Sequence, residues 1–277
     1  MLKLLRCLGL AVALAAVSAP VARGAVNAYV YTNVSSFKSS CGTYQSPSYR
    51  YNQAMANYRT LGYTTTGYYG GPFTRTTFIN NLKTAFAIYV SSHGDNYWDT
   101  ISPYVNSAFL QNPASGCGSS ADRVYSIYGR AKRNPNIEGS AVPPYYLVII
   151  STCRLGLDGY AHYGSRTWSG YVGNTMPHAF RFAYSDSAFH YTKTSTTAQW
   201  YLGYRNYTWD TSAYAFERNF FAESVAVSHT LTTGYNLALS EGPYESVPAS
   251  AAEDGVYNPF APSWYGNPSF RGQANGY

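Results

Sequence analysis

The chain has 277 residues and a formal net charge of +6; 45% of its residues are hydrophobic and only 12% are charged. That composition excludes charge-driven disorder and a long solvated coiled coil. Lys3, Arg6 and Arg23 all fall before residue 25, so the rest of the chain carries +3, with Arg130, Lys132 and Arg133 as its densest basic cluster. Sequence-independent binding to nucleic acid needs several phosphate contacts, and no nucleic-acid partner is expected.

Residues 1–24 read as a signal peptide. Lys3 and Arg6 precede an apolar run from Leu8 to Val17, and Ala22-Arg23-Gly24 before Ala25 fits the small-x-small cleavage rule. An uncleaved anchor needs about 20 continuous apolar residues, and Pro20 and Arg23 interrupt this stretch. The expectation is a secreted protein, extracellular or periplasmic, with no stable membrane anchor. Three cysteines follow the leader: Cys41, Cys117 and Cys153. Exported chains usually pair their cysteines. Cys41 and Cys117 both sit in loop-like Gly/Ser contexts, so the economical expectation is a Cys41–Cys117 disulfide, with Cys153 left as a thiol. A leftover cysteine is either a small buried hydrophobe or a thiol with a chemical task, and the count alone leaves both open.

In chain order, Ala25 to Thr32 reads as a strand from its Val and Tyr content, and Tyr51 to Leu61 as a helix. Gly67 to Pro72 reads as a turn, because Gly70-Gly71-Pro72 breaks any regular element. Thr74 offers a cap for a helix to about Thr84, with Phe78 and Leu82 on one side. Phe86 to Val90 is a short apolar run that enters Ser91-Ser92-His93-Gly94-Asp95. Residues 96 to 120 read as loop with a little strand, and Val124 to Tyr128 as a strand. Tyr146 to Ile150 is fully apolar and enters Ser151-Thr152-Cys153-Arg154-Leu155-Gly156. A short helix is expected around Met176 to Ala183 and a strand from Trp200 to Gly203. Asp210 then offers a cap for one long helix from about Thr211 to Ser240. After residue 241 Pro, Ser, Ala and Gly take over, which predicts a wrapping extension over 241–277 rather than a second domain.

The runs at 86–90 and 146–150 lack period-two alternation, as strands covered on both faces do. With helices between and after them they predict a three-layer α/β/α sandwich with a mostly parallel sheet over residues 25–240. Sites in such folds form beyond the carboxyl ends of strands, where His93 and Cys153 both fall. A thiolate needs a base or a cationic neighbour to be populated near neutral pH, and imidazole supplies either. Backbone N–H groups at Gly94 and Cys153 are candidate oxyanion donors. Gly94 permits close backbone approach beside the imidazole, and Gly156 a tight turn after the thiol.

At these residues the chain resembles a known group. Phe86-Ala87-Ile88-Tyr89-Val90-Ser91-Ser92-His93-Gly94-Asp95 is similar to the strand-then-His-Gly motif of the caspase-like (clan CD) cysteine peptidases, the superfamily of caspases, gingipains, legumains and clostripain. Leu147-Val148-Ile149-Ile150-Ser151-Thr152-Cys153 resembles their second strand, which ends in a small residue and Cys. Gln199-Trp200-Tyr201-Leu202-Gly203-Tyr204 resembles the strand that follows in bacterial members. The resemblance implies an exported bacterial peptidase with a caspase-like fold, His93 as the catalytic histidine, Cys153 as the nucleophile, a peptide or protein substrate, and no cofactor. Leu155 stands before the glycine of the caspase-type Cys-Arg-Gly run, and Thr152 replaces the residue before Cys. For such a peptidase the substrate pocket is expected from Asp158, Trp168, Trp200, Arg205 and Asp210. A carboxylate there favours a basic residue before the scissile bond, and Arg154 or Arg205 an acidic one; the sequence leaves that choice open.

Competing readings use the same residues. His93 as a polar core residue, its ring satisfying backbone groups, is one. A metal site is another, from His93, Asp95, His162, His178, His190 and His229, yet no pair has HExxH spacing and no metal is expected. No GxSxG and no Gly-rich nucleotide loop follows a strand. The rival function is a catalytically inactive exported binding module. Tyr63, Tyr68, Tyr69, Tyr97, Trp98, Tyr160, Tyr163, Trp168, Tyr171, Tyr204, Tyr207 and Trp209 lie mostly in Gly/Ser/Thr-rich segments. Such side chains suit a surface for protein or glycan.

Overall fold

A computed structural model describes residues 25–32, 48–98, 105–110, 123–125, 146–156, 162–163, 166–167, 176–180, 198–226, 229–252 and 255–274. The leader, Cys41, Cys117, Asp158 and Trp168 lie outside the described residues. In chain order the strands are β1 (Asn27–Thr32), β2 (Thr64–Tyr69), β3 (Ala85–Ser91), β4 (Gly94–Trp98), β5 (Val105–Leu110), β6 (Arg123–Tyr125), β7 (Leu147–Ser151), β8 (His162–Tyr163), β9 (Arg166–Thr167), β10 (Trp200–Tyr204) and β11 (Pro262–Gly266). The helices are α1 (Ser48–Thr60), α2 (Arg75–Asn81), α3 (Met176–Ala179), α4 (Asp210–Phe221) and α5 (Leu231–Ser240), with a π-helical turn at Ala222–Ala226.

Six strands form one sheet in the order β11-β10-β7-β3-β1-β2. Every pairing in it is parallel except β10 with β11, which is antiparallel. Alternate residues feed two cores. Ala87, Tyr89, Leu147, Ile149, Trp200 and Leu202 face a core shared with α1, α4 and α5, through Tyr58, Phe216, Phe220 and Tyr235. Ile88, Val90, Val148, Ile150 and Tyr201 face the opposite core with Phe78 of α2 and Met176 of α3. The chain is therefore a three-layer α/β/α sandwich with a mostly parallel sheet. β7 and β10 are buried at every position, which is why apolar residues run uninterrupted there instead of alternating.

Local chemistry sets several boundaries. Thr74 caps α2 as its side chain accepts from Thr77 N–H at 3.1 Å. The turn expected from Gly67 begins later, because Thr64-Thr65-Thr66-Gly67-Tyr68-Tyr69 is the edge strand β2, favoured by its β-branched and aromatic residues. The single helix expected over 211–240 is two helices. Trp209, not Asp210, occupies the position before α4 and makes no side-chain cap; Asp210 is the first helical residue. Thr230 starts α5 afresh, accepting from Thr233 N–H at 3.1 Å. The π turn between the helices carries Ser224, whose hydroxyl donates back to Phe220 O at 2.6 Å, a bond that bends helices. Residues 94–98, 105–110 and 123–125 form a separate antiparallel three-stranded sheet, β4-β5-β6, beside the position of His93. β11 fell in the segment read as irregular, where one turn-rich composition masks five strand residues. No described helix is long and apolar enough to cross a membrane.

Candidate active site

β3 and β7 are parallel neighbours, and their last registered pair is Ser91 with Ser151. His93 and Cys153 are therefore each two residues beyond the same rung. Both are half-buried, at the carboxyl edge of the sheet. The segments after the two strands also touch. A Cβ on Gly94 would stand 2.7 Å from Thr152 Oγ1 and 3.0 Å from Leu155 Cδ1, so only glycine lets the chain following His93 pack against the residues flanking Cys153.

The turn after Cys153 runs to Gly156, as expected, but its left-handed residue is another one. Arg154, not Gly156, takes the left-handed conformation, with φ 57°. A non-glycine residue there costs about 1 kcal/mol or more and needs local support. That support comes from its own N–H, which donates to Asn206 O at 3.2 Å. Its guanidinium also sits 4.1 Å above the Tyr207 ring centre. Gly156 instead permits close packing: its Cβ would lie 2.6 Å from Gly203 C, against β10.

The segment between β10 and α4 closes over the site. Thr208 N–H donates to Cys153 Sγ at 3.4 Å, and the thiol points back toward Thr208 O at 3.7 Å. Two residues on, Asp210 is close enough to His93 for its carboxylate to act on the imidazole. One short segment, 208–210, thus contacts Cys153 and carries the charge that acts on His93. Burial lowers the His93 pKa from 6.5 to about 4, and Asp210 opposes that fall. The ring is neutral above that value, with its basic lone pair intact.

A buried ionic cluster fixes the underside of this edge. Arg50 of α1 donates to Asp210, to Ser151 Oγ and, at 3.1 and 3.2 Å, to both carboxylate oxygens of Glu217. Glu217 also accepts from Tyr89 at 2.8 Å and from Tyr204 at 2.9 Å. Burial, then the Glu217 charge, hold the Tyr204 hydroxyl protonated well above its ordinary value, so it remains a donor. Arg50 and Glu217 are both about 1% exposed in their side chains. Buried charges survive only when paired and hydrogen-bonded, and here the guanidinium ties α1, β7 and α4 together at Ser151, two residues before Cys153.

Of the residues expected to line a substrate pocket, Trp200 is not at this edge. It opens β10 at the opposite, amino-terminal end, fully buried, stacked on Phe220 at 5.3 Å and on Trp264 at 6.0 Å between ring centres. Arg205 is exposed just past the carboxyl end of β10, and Asp210 is 20% exposed. Sequence reasoning missed Arg50, Ser151, Glu217 and Thr208. A signal existed for two of them: in a chain this poor in charge, an Arg or Glu inside a helix among apolar and aromatic residues marks a buried pair. Among the described residues no group of three or more His, Cys, Asp or Glu is placed to hold a metal.

No protein-family model matches the sequence. No curated protein matches it either. Among solved structures, the chain is similar to the Arg-specific cysteine proteinase gingipain R, at 11% identity and a TM-score of 0.46, covering 88% of this chain and 46% of that one. It is similar to caspase-1 from Spodoptera frugiperda, at 12% identity and a TM-score of 0.47, covering 90% of each chain. A protein from Geobacter sulfurreducens aligns at 11% identity and a TM-score of 0.47, over 88% of this chain and 94% of that one. The chain thus spans less than half the length of the gingipain.

Proposed function

We propose that the protein is an exported cysteine peptidase of caspase-like type, with Cys153 as nucleophile and His93 as its base. The observation that carries the reading is positional: both residues lie two steps beyond the Ser91–Ser151 rung of adjacent parallel strands, and Cys153 is held by Thr208, two residues before the aspartate whose charge acts on His93. The strand-then-His-Gly and strand-then-Cys motifs resemble that superfamily at those same two residues.

In the first step Cys153 Sγ adds to the scissile carbonyl carbon while its proton passes to the neutral His93 ring. Backbone N–H groups of Gly94 and Cys153 receive the oxyanion. Collapse breaks the C–N bond, the imidazolium proton leaves with the amine, and a thioester remains. Water, deprotonated by the same imidazole, then hydrolyses the thioester and restores the thiol. No cofactor is required. Substrate side-chain selection falls to Arg205, Asp210, Asp158 and Trp168, with Trp200 removed from that set by its place in the core. Export rests on the leader at 1–24, and a Cys41–Cys117 disulfide accompanies it.

The test is hydrolysis of a positional-scanning peptide library by the mature protein. Cleavage that disappears in Cys153→Ala and loses most of its rate in His93→Ala, with both variants folded, supports the reading. Wild-type protein whose Cys153 is intact yet cleaves nothing, or a Cys153→Ala variant as active as wild type, sinks it.

A further inference from the structure

The segment that covers Cys153 is held from behind by the C-terminal part of the chain. Arg205 N–H donates to Ala261 O at 2.9 Å, and Asn206 Nδ2 to Pro259 O at 2.8 Å. Tyr207 N–H donates to the Asn258 side-chain oxygen at 3.4 Å, and Trp209 Nε1 to Ser246 O at 3.2 Å. The one residue of 205–209 without a tie to this strap in that set, Thr208, is the one whose backbone meets the sulfur. Asn258 is the central fastening. It is 5% exposed, pairs with Val247 through two backbone bonds of 2.9 Å, and donates through Nδ2 to Val256 O at 2.7 Å. The same segment also seats the strained turn, since Asn206 O receives Arg154 N–H and the Tyr207 ring lies under the Arg154 guanidinium.

We propose that Asn258 is a positioning residue for the Cys153 thiol, acting through Tyr207 to hold the Thr208 N–H against Sγ. The proposal rests on Cys153 being the reactive group of the site. An N–H aimed at sulfur favours the ionised thiol over the neutral one, so the strap, 93 residues and more beyond the thiol in sequence, sets how readily that thiol reacts. Loss of the strap loosens Tyr207–Thr208 and withdraws the donor, while leaving the sheet and the Arg50 cluster in place.

The experiment measures alkylation of Cys153 by iodoacetamide, followed on its own peptide by mass spectrometry, as the ratio of the rate at mildly acidic pH to the rate at alkaline pH. That ratio reads the thiol's ionisation and cancels simple changes of access. Asn258→Ala should lower it about fivefold, the worth of one hydrogen bond. Asn258→Asp keeps an acceptor for Tyr207 N–H but gives up the Nδ2 bond to Val256 O, so its ratio should fall less than in Asn258→Ala, by about twofold. An unchanged ratio in Asn258→Ala overturns the proposal, and so does an equal fall in the Ala and Asp variants, which is what a merely structural role gives. If Asn258→Ala does not fold, Trp209→Phe cuts a second tie to the strap and is judged by the same fall or its absence. Because alkylation needs no substrate, these ratios can come out as expected in a protein that cleaves no peptide; that result would remove the peptidase reading and leave this one standing.

Discussion

The depressed pKa of His93 makes a stability prediction that is independent of any substrate. In the unfolded chain the ring titrates at 6.5, and in the folded protein burial brings it to about 4. Between those values the unfolded chain binds a proton that the folded protein refuses. Stability therefore falls as pH drops from 6.5 toward 4 and is restored as it rises. The gap corresponds to about 3 kcal/mol. Carboxylates also titrate in this window, so the measurement must isolate the imidazole. Urea unfolding of wild type and His93→Gln at neutral pH and near pH 4 gives a double difference in which the shared carboxylate terms cancel. The wild type should lose about 3 kcal/mol more than the variant on acidification. Equal losses in the two proteins would refute the burial argument, and with it the claim that His93 enters catalysis as a neutral base. A loss reversed in sign would mean that the Asp210 carboxylate outweighs desolvation at this ring.

Arg50→Met leaves Glu217 and Asp210 facing one another without their cation, and should destabilise the fold by about 3–5 kcal/mol by chemical denaturation; the double change Arg50→Met with Glu217→Leu should recover part of that loss. Gly156→Ala meets backbone rather than a flexible side chain at 2.6 Å, so it should cost about 1–3 kcal/mol in urea and separate β10 from the Cys153 turn. Non-reducing peptide mapping should find Cys41 joined to Cys117 and Cys153 alkylated; a disulfide at Cys153 would remove the proposed nucleophile.

The parts of this protein that could be read from sequence are those where one residue pattern has one physical meaning. Unbroken apolar runs at 86–90 and 146–150 required strands covered twice, and β3 and β7 are such strands, side by side. The small polar residues after each run placed His93 and Cys153 at the carboxyl edge. The split of 211–240 into α4 and α5 was hidden because Ala213, Phe216, Phe220 and Leu231 keep helical spacing across the break. The interruption is made by a hydroxyl bonding back to Phe220 O and by a new cap at Thr230. The turn after Cys153 does run through Gly156, but its left-handed residue is not legible in the sequence. Gly156 has the composition of a turn, but the left-handed conformation goes to Arg154, whose side chain Tyr207 can carry and whose N–H Asn206 can receive. Contacts between residues some forty to fifty positions apart have no local pattern, and the strap behind residues 205–209 is made of such contacts.

The placement of charge joins these observations. With so few charged residues, the chain buries Arg50 and Glu217 almost completely and leaves an aspartate partly open beside them. Burying them in the middle of the sheet would only cost desolvation. Beneath the carboxyl edge the same cluster fixes three things at once. Arg50 holds Ser151, two residues before the thiol; it holds Asp210, which acts on His93; and through Glu217 it holds Tyr89 and Tyr204 of the two strands that flank β7. The strap fixes the remaining element, the segment 205–209, from the other side. The thiol is thus positioned by an ionic anchor below and a hydrogen-bonded strap behind, and the two can be cut separately. Arg50→Met should lower stability first, whereas Asn258→Ala should change the thiol before it changes the fold. A core that merely contains a cysteine has no reason to answer those two cuts differently.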